Sequence, residues 1–131
     1  MVTDPIADFI TQIKNASAVG QVRVAVPYSE FKLRVAELLK QEGYLAQVEP
    51  KGKKAHRTLE VELAYEADGS RKVHEVKRLS KPSRRIYASA KDLRPVRSGH
   101  GIVVLSTPEG VLSGSVARKK QLGGELLFEI W

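Results

Sequence analysis

Apolar residues change period several times along the first half of this chain, and each change marks an element. Ile6, Phe9, Ile10 and Ile13 recur at three- and four-residue intervals, which places them on one stripe of a helix. Asp4 and Pro5 suit its start, because an Asp side chain accepts an orphan N–H and a proline has none to leave unpaired; Gly20 is its stop. Val22, Val24 and Val26 then alternate with Gln21, Arg23 and Ala25, the period of a half-buried strand that Pro27 ends. Ser29 caps a second helix whose Phe31, Val35, Leu38 and Leu39 share a face, with Gly43 past its end. Residues 44–48 read as a strand and Lys51-Gly52-Lys53-Lys54 as a basic turn. Leu59, Val61, Leu63 and Tyr65 form the alternating return strand of a hairpin. After the Asp68-Gly69 turn, Val73 and Val76 suggest a short strand rejoining that sheet.

The second half is punctuated differently. Ser80-Lys81-Pro82-Ser83 has the composition of a linker, Arg85 to Ala88 that of a short strand, and Lys91 to Leu93 holds at most one helical turn before Pro95. Ile102 to Leu105 is apolar on both faces, so it is a central strand. Ser113 or Ser115 caps a short helix through Gln121, with Arg118, Lys119 and Lys120 near its negative end, and Leu126 to Trp131 is the last strand. The expected fold class is α/β (α+β) in two small lobes. The first, residues 1–79, packs helices on a three- or four-stranded sheet. The second, residues 80–131, is mostly β with one short helix.

Charge separates the two halves further. Residues 1–65 carry 9 basic and 8 acidic side chains, and residues 66–131 carry 13 and 7, so nearly all of the net +7 lies in the second half. Between Arg71 and Arg97 there are ten basic residues and only two acids, Glu75 and Asp92. A solvated face is rarely so one-sided, and such a run gains affinity for phosphates by releasing their counterions. Without a cysteine there is no disulfide, thiolate zinc site or cysteine nucleophile, and the compartment expected is the cytoplasm. No apolar run reaches the roughly 18 residues of a membrane span, so no membrane partner is expected.

The candidate chemistry is that of binding. Ser106 and Thr107 end a buried strand just before Pro108 and Gly110, which puts short hydroxyls on a tight loop where they can read base edges or 2′-OH groups, or simply build the turn. Gly123 and Gly124 either end a helix or let backbone approach a ligand closely, and Glu125 can accept from a base amino group or orient a neighbour. Tyr87 offers a ring for stacking beside the cations Lys81, Arg84 and Arg85, or else a core side chain, while Lys14 and Lys32 are candidate secondary phosphate contacts or simply solvated charges. Gly99-His100-Gly101 precedes a strand instead of opening a helix, so the phosphate-loop context fails. His56, His74 and His100 lack ligand spacing, and no nucleophile elbow occurs; no cofactor, metal or catalytic residue is expected, and an enzyme of phosphoryl transfer lacks its parts.

These residues together resemble the bacterial family of small-subunit ribosomal protein number eight. The resemblance rests on Asp4-Pro5-Ile6-Ala7-Asp8, Ile13-Lys14-Asn15-Ala16, Leu39 to Tyr44, and Ser80-Lys81-Pro82-Ser83-Arg84-Arg85-Ile86-Tyr87. It continues through Gly99-His100-Gly101-Ile102, Leu105-Ser106-Thr107, Glu109-Gly110-Val111, Ala117-Arg118 and Gly123-Gly124-Glu125 to Trp131. It implies a non-enzymatic protein of the ribosome that binds the central domain of 16S rRNA, helps assemble the platform of the 30S subunit and neighbours other small-subunit proteins. Repression of its own operon mRNA is the alternative it implies. A Ser-Thr-Ser loop and a Gly-Gly-Glu turn contact RNA in the family, a role that carries over to Ser106, Thr107, Gly123, Gly124 and Glu125. Here Pro108 replaces the third serine, Ser83 a usual glycine, and His100 an apolar residue. Specificity is expected from the loop and the Gly-Gly-Glu turn, and sequence-independent affinity from Arg84 and Arg85.

Overall fold

A computed structural model describes residues 5–131, so the Asp4 cap lies outside the described residues. The chain is a mixed α/β protein of two compact units, 5–74 and 75–131.

In the first unit, α1 (Pro5–Ala18) and α2 (Glu30–Gln41) pack on an antiparallel sheet in the order β1 (Arg23–Pro27), β3 (Thr58–Leu63), β2 (Leu45–Lys51). The alternation of Val24 and Val26 with exposed neighbours puts one face of β1 under the helices and the other in water. Phe9 and Ile13 of α1, Val35 and Leu39 of α2, and Leu59 and Val61 of β3 are fully buried and make the core. Ser29 accepts from the Lys32 N–H at 3.1 Å, the cap its position implies. Phe31 departs from the expected apolar face: it is exposed, and Lys32 is buried in its stead. The Lys32 ammonium donates to the Pro27 carbonyl at 2.9 Å, which satisfies the end of β1 and lets the aliphatic stem pack inward.

The second unit is a five-stranded antiparallel sheet. Its main path runs β4 (Val76–Arg78), β8 (Gly124–Ile130), β6 (Ile102–Thr107), β7 (Gly110–Ser113), and β5 (Tyr87–Ala88) also pairs with β8. Val76 therefore does not rejoin the first sheet. Val76 faces Ile130 and Arg78 faces Phe128, a long-range pairing that a three-residue strand cannot announce by its own periodicity. The apolar β6 is central as expected, with β7 and β8 on either side. Ser113 is the helix cap, accepting from the Val116 N–H at 3.4 Å, and α3 (Gly114–Lys119) stops short of Gln121, whose φ is +59°. Ala117 of α3 packs with Leu93 and Leu105, with Ala88, Leu112 and Leu126 against them.

Between β4 and β5 the chain leaves the edge of β8 and returns to it. The Leu79 and Ser80 amides donate to Leu127 and Leu126, and the Leu126 amide donates to Ile86. Lys81 and Arg84 exchange backbone hydrogen bonds of 2.8 and 2.9 Å, so the segment is a pinched finger in which residues 81–85 are all exposed. Buried Ser80 ties its base: Oγ accepts from the Ile86 N–H at 2.8 Å and donates to the Ile86 carbonyl at 3.2 Å. Ser80→Ala removes the partner of the Ile86 amide and should cost about 1–2 kcal/mol. Hydrogen exchange at Ile86 and thermal unfolding check this; unaltered protection of Ile86 would show the finger to be closed by other means.

Candidate nucleic-acid interface

Antiparallel partners that face each other directly carry their side chains on one side of the sheet. In the second unit Tyr87 faces Glu125, Glu125 faces Ser106, and Ser106 faces Val111. The register thus draws Tyr87, Glu125, Ser106 and Val111 into one row across four strands, on the face opposite the Leu105, Leu112 and Leu126 core. Tyr87 is 68% exposed, a large aromatic side chain left in water. The Ser106 hydroxyl has no partner among the described residues, so both its donor and its acceptor capacity remain available.

The row exists because β8 enters between two strands at close quarters. A Cβ on Gly124 would lie 2.1 Å from the Ser106 carbonyl oxygen, and one on Gly123 would lie 2.5 Å from that of Ala88. Both glycines thus serve an approach of backbone to backbone, and the ligand-approach role considered for them is not needed to account for either.

Thr107 differs from Ser106. Its Oγ1 donates to the Gly110 carbonyl at 2.8 Å and accepts from the Glu109 N–H at 3.1 Å, so its hydroxyl builds the β6–β7 hairpin. Pro108 is exposed at the first corner of that turn, where its fixed φ suits the chain, and Gly110 closes it with φ of +113°. The turn chemistry foreseen for this segment is what Thr107 performs, and the row is what Ser106 joins.

Glu125 is mostly covered, its side chain 16% exposed, and its Oε2 accepts from Arg85 Nη1 at 3.0 Å. That hydrogen bond, followed by the charge of the carboxylate, holds the Arg85 pKa above its ordinary value. Arg78 lies on the same face at the register of Phe128 and donates to the Ser80 carbonyl at 2.7 Å; burial, then the charge of Arg85, lowers its pKa. Lys81 and Arg84 stand exposed on the finger beside the row.

Lys14 and Lys32 belong to the first unit, whereas the row and the finger belong to the second. Lys14 is half-buried on α1 and engaged within the chain, while the Lys32 ammonium is spent on Pro27. Two features had no signal that local reading detected. Arg97 stacks on the Trp131 ring at 4.3 Å, and Arg85 meets Glu125 across 40 positions of sequence. Strand β7 did have a signal, in Val111 and Leu112 following the Pro108-Glu109-Gly110 turn.

Among the described residues no cluster of His, Cys, Asp or Glu is suited to a metal, and no helix is long and apolar enough to cross a membrane. The surface offers stacking, hydroxyl and carboxylate contacts beside a cationic finger, which is a binding chemistry.

A family model for ribosomal protein S8 matches residues 4–131. Small ribosomal subunit protein uS8 of Mycoplasmopsis agalactiae is 44% identical over 130 residues, covering 99% of this chain and 98% of that protein. The protein of the same name from Afipia carboxidovorans is 45% identical over 131 residues, covering 98% and 97%. That from Hyphomonas neptunium is 42% identical over 130 residues, covering 99% and 98%.

Proposed function

The chain belongs to the ribosomal protein S8 family, a family of ribosomal structural proteins and not of enzymes, and from that footing we propose that it binds the central domain of 16S rRNA directly. In this reading it is a structural constituent of the small subunit and helps assemble the platform of the 30S particle. The observation that carries the RNA-binding part is the row in which exposed Tyr87 aligns with the partly covered Glu125 and Ser106, set beside the basic finger. Tyr87 stacks on an unpaired base or sugar, and Ser106 donates to or accepts from a base edge or 2′-OH. Glu125 accepts from a base amino group. Lys81 and Arg84 neutralise phosphates and carry no sequence information. Thr107, Pro108 and Gly110 give the loop its shape, and Gly123 and Gly124 close the strands under it.

Footprinting of the protein alone on 16S rRNA tests the reading: protection confined to an irregular helix of the central domain is expected, and no protected site there would sink it. Roles divide in a second measurement, of affinity for that segment against a scrambled RNA of equal length. Glu125→Ala should lose about tenfold on the cognate RNA and little on the scrambled one. Arg84→Ala should weaken both alike and reduce the slope of log K against log salt by about one. Equal losses on both RNAs for both variants would remove the division.

A further inference from the structure

We propose that Arg85 is a specificity-determining positioning residue, acting through Glu125, and not one more phosphate contact of the basic finger. The proposal rests on the RNA-binding reading above and deepens it. Arg85 and Arg84 are adjacent, both exposed, and identical in charge, so the sequence gives them one role. Their surroundings differ. Arg84 is one of the two residues whose backbones pinch the finger, and its guanidinium has no partner among the described residues. The Arg85 guanidinium reaches back 3.0 Å to the Glu125 carboxylate, in the middle of the row between Tyr87 and Ser106.

Two consequences follow from that contact. A carboxylate whose Oε2 is held leaves Oε1 as a single acceptor in a fixed direction, and Oε1 has no partner among the described residues. Such an acceptor suits the exocyclic amino group of an exposed adenine, cytosine or guanine, where a freely rotating carboxylate would have to be ordered on binding. The pair also compensates charge. A bare carboxylate beside Lys81 and Arg84 would repel the phosphates those residues attract, and Arg85 offsets it locally. Because its charge is already matched, Arg85 releases few counterions when RNA arrives.

The test measures affinities of the full chain for the protected central-domain segment and for scrambled RNA, over a range of salt, with Arg85→Ala, Arg85→Lys, Arg84→Ala, Glu125→Gln and the Arg85→Ala/Glu125→Gln double variant. Arg85→Ala should lose about tenfold on cognate RNA and about twofold or less on scrambled RNA, with the salt slope unchanged. The double variant should bind cognate RNA no worse than the weaker single one, and Arg85→Lys, which keeps an ion pair, should recover part of the loss. The arginine substitutions are at the surface and Glu125→Gln keeps the volume of a mostly covered side chain, and a circular-dichroism melt confirms folding. Equal losses of Arg85→Ala on both RNAs with a flattened salt slope would overturn the proposal, as would losses that multiply in the double variant. Wild-type protein that does not discriminate between the RNAs would overturn the RNA-binding reading itself, and this inference with it.

Discussion

Gly124→Ala should destabilise the second unit by about 3 kcal/mol or more, at the upper end for an overpacked site, and should abolish cognate RNA binding with it. The added methyl would sit 2.1 Å from the Ser106 carbonyl oxygen and 3.2 Å from the Thr107 Cα, so it meets backbone that has no rotamer to change. Relief requires β8 and β6 to separate at the Glu125–Ser106 pair, which breaks the row as well as the ladder. Thermal unfolding and RNA affinity read the two effects separately. A melting temperature equal to that of the wild type would show that the strands do not close on this glycine.

Phe128→Ala should cost about 3–5 kcal/mol, the usual loss for a large aromatic side chain taken from a close-packed interior. Phe128 has no exposed surface and sits in β8 at the register of Val104 on β6 and Arg78 on β4, between the two neighbours of the strand that carries Glu125. A small unit has few such side chains to lose. Denaturant unfolding measures the change, with Tyr87→Ala as its control, since that ring is exposed and its removal should cost within about 0.5 kcal/mol. A Phe128→Ala protein as stable as the Tyr87→Ala one would mean that the site relaxes around the vacated volume.

The contrast between those two aromatic residues shows where sequence was informative. Tyr87 was singled out for the cations before it, and the structure does leave it in water. Local pattern also recovered α1, α2, the β2–β3 hairpin and the central β6, because the helices and β3 each bury one face at their own period and β6 is apolar on both. Its limits were set by pairing across distance. Nothing in Val76-Lys77-Arg78 says that its partner is β8, and nothing in Ser80 says that its hydroxyl closes a finger by bonding Ile86. Phe31 and Lys32 exchanged their expected places because the Pro27 carbonyl at the end of β1 supplied an acceptor for the ammonium while the aliphatic stem packed inward. The candidate site was legible as a set of residues and not as a surface. Ser106 and Thr107 are adjacent hydroxyls of like chemistry in the sequence, yet one is committed to Gly110 and Glu109 while the other is left open.

The Ser80–Ile86 tie has a consequence for how this protein can vary. Because the finger is closed at its base, residues 81–84 beyond that closure form a cul-de-sac: their outline, charge and reach can drift while Tyr87 and Arg85 keep their places against Glu125. In the RNA-binding reading proposed above, general attraction to polyanions and discrimination among them would thereby fall under separate hereditary control. A change at Pro82 or Ser83 retunes the first, whereas the second answers to the residues that set the strands and to Arg85, the finger side chain tied back to Glu125.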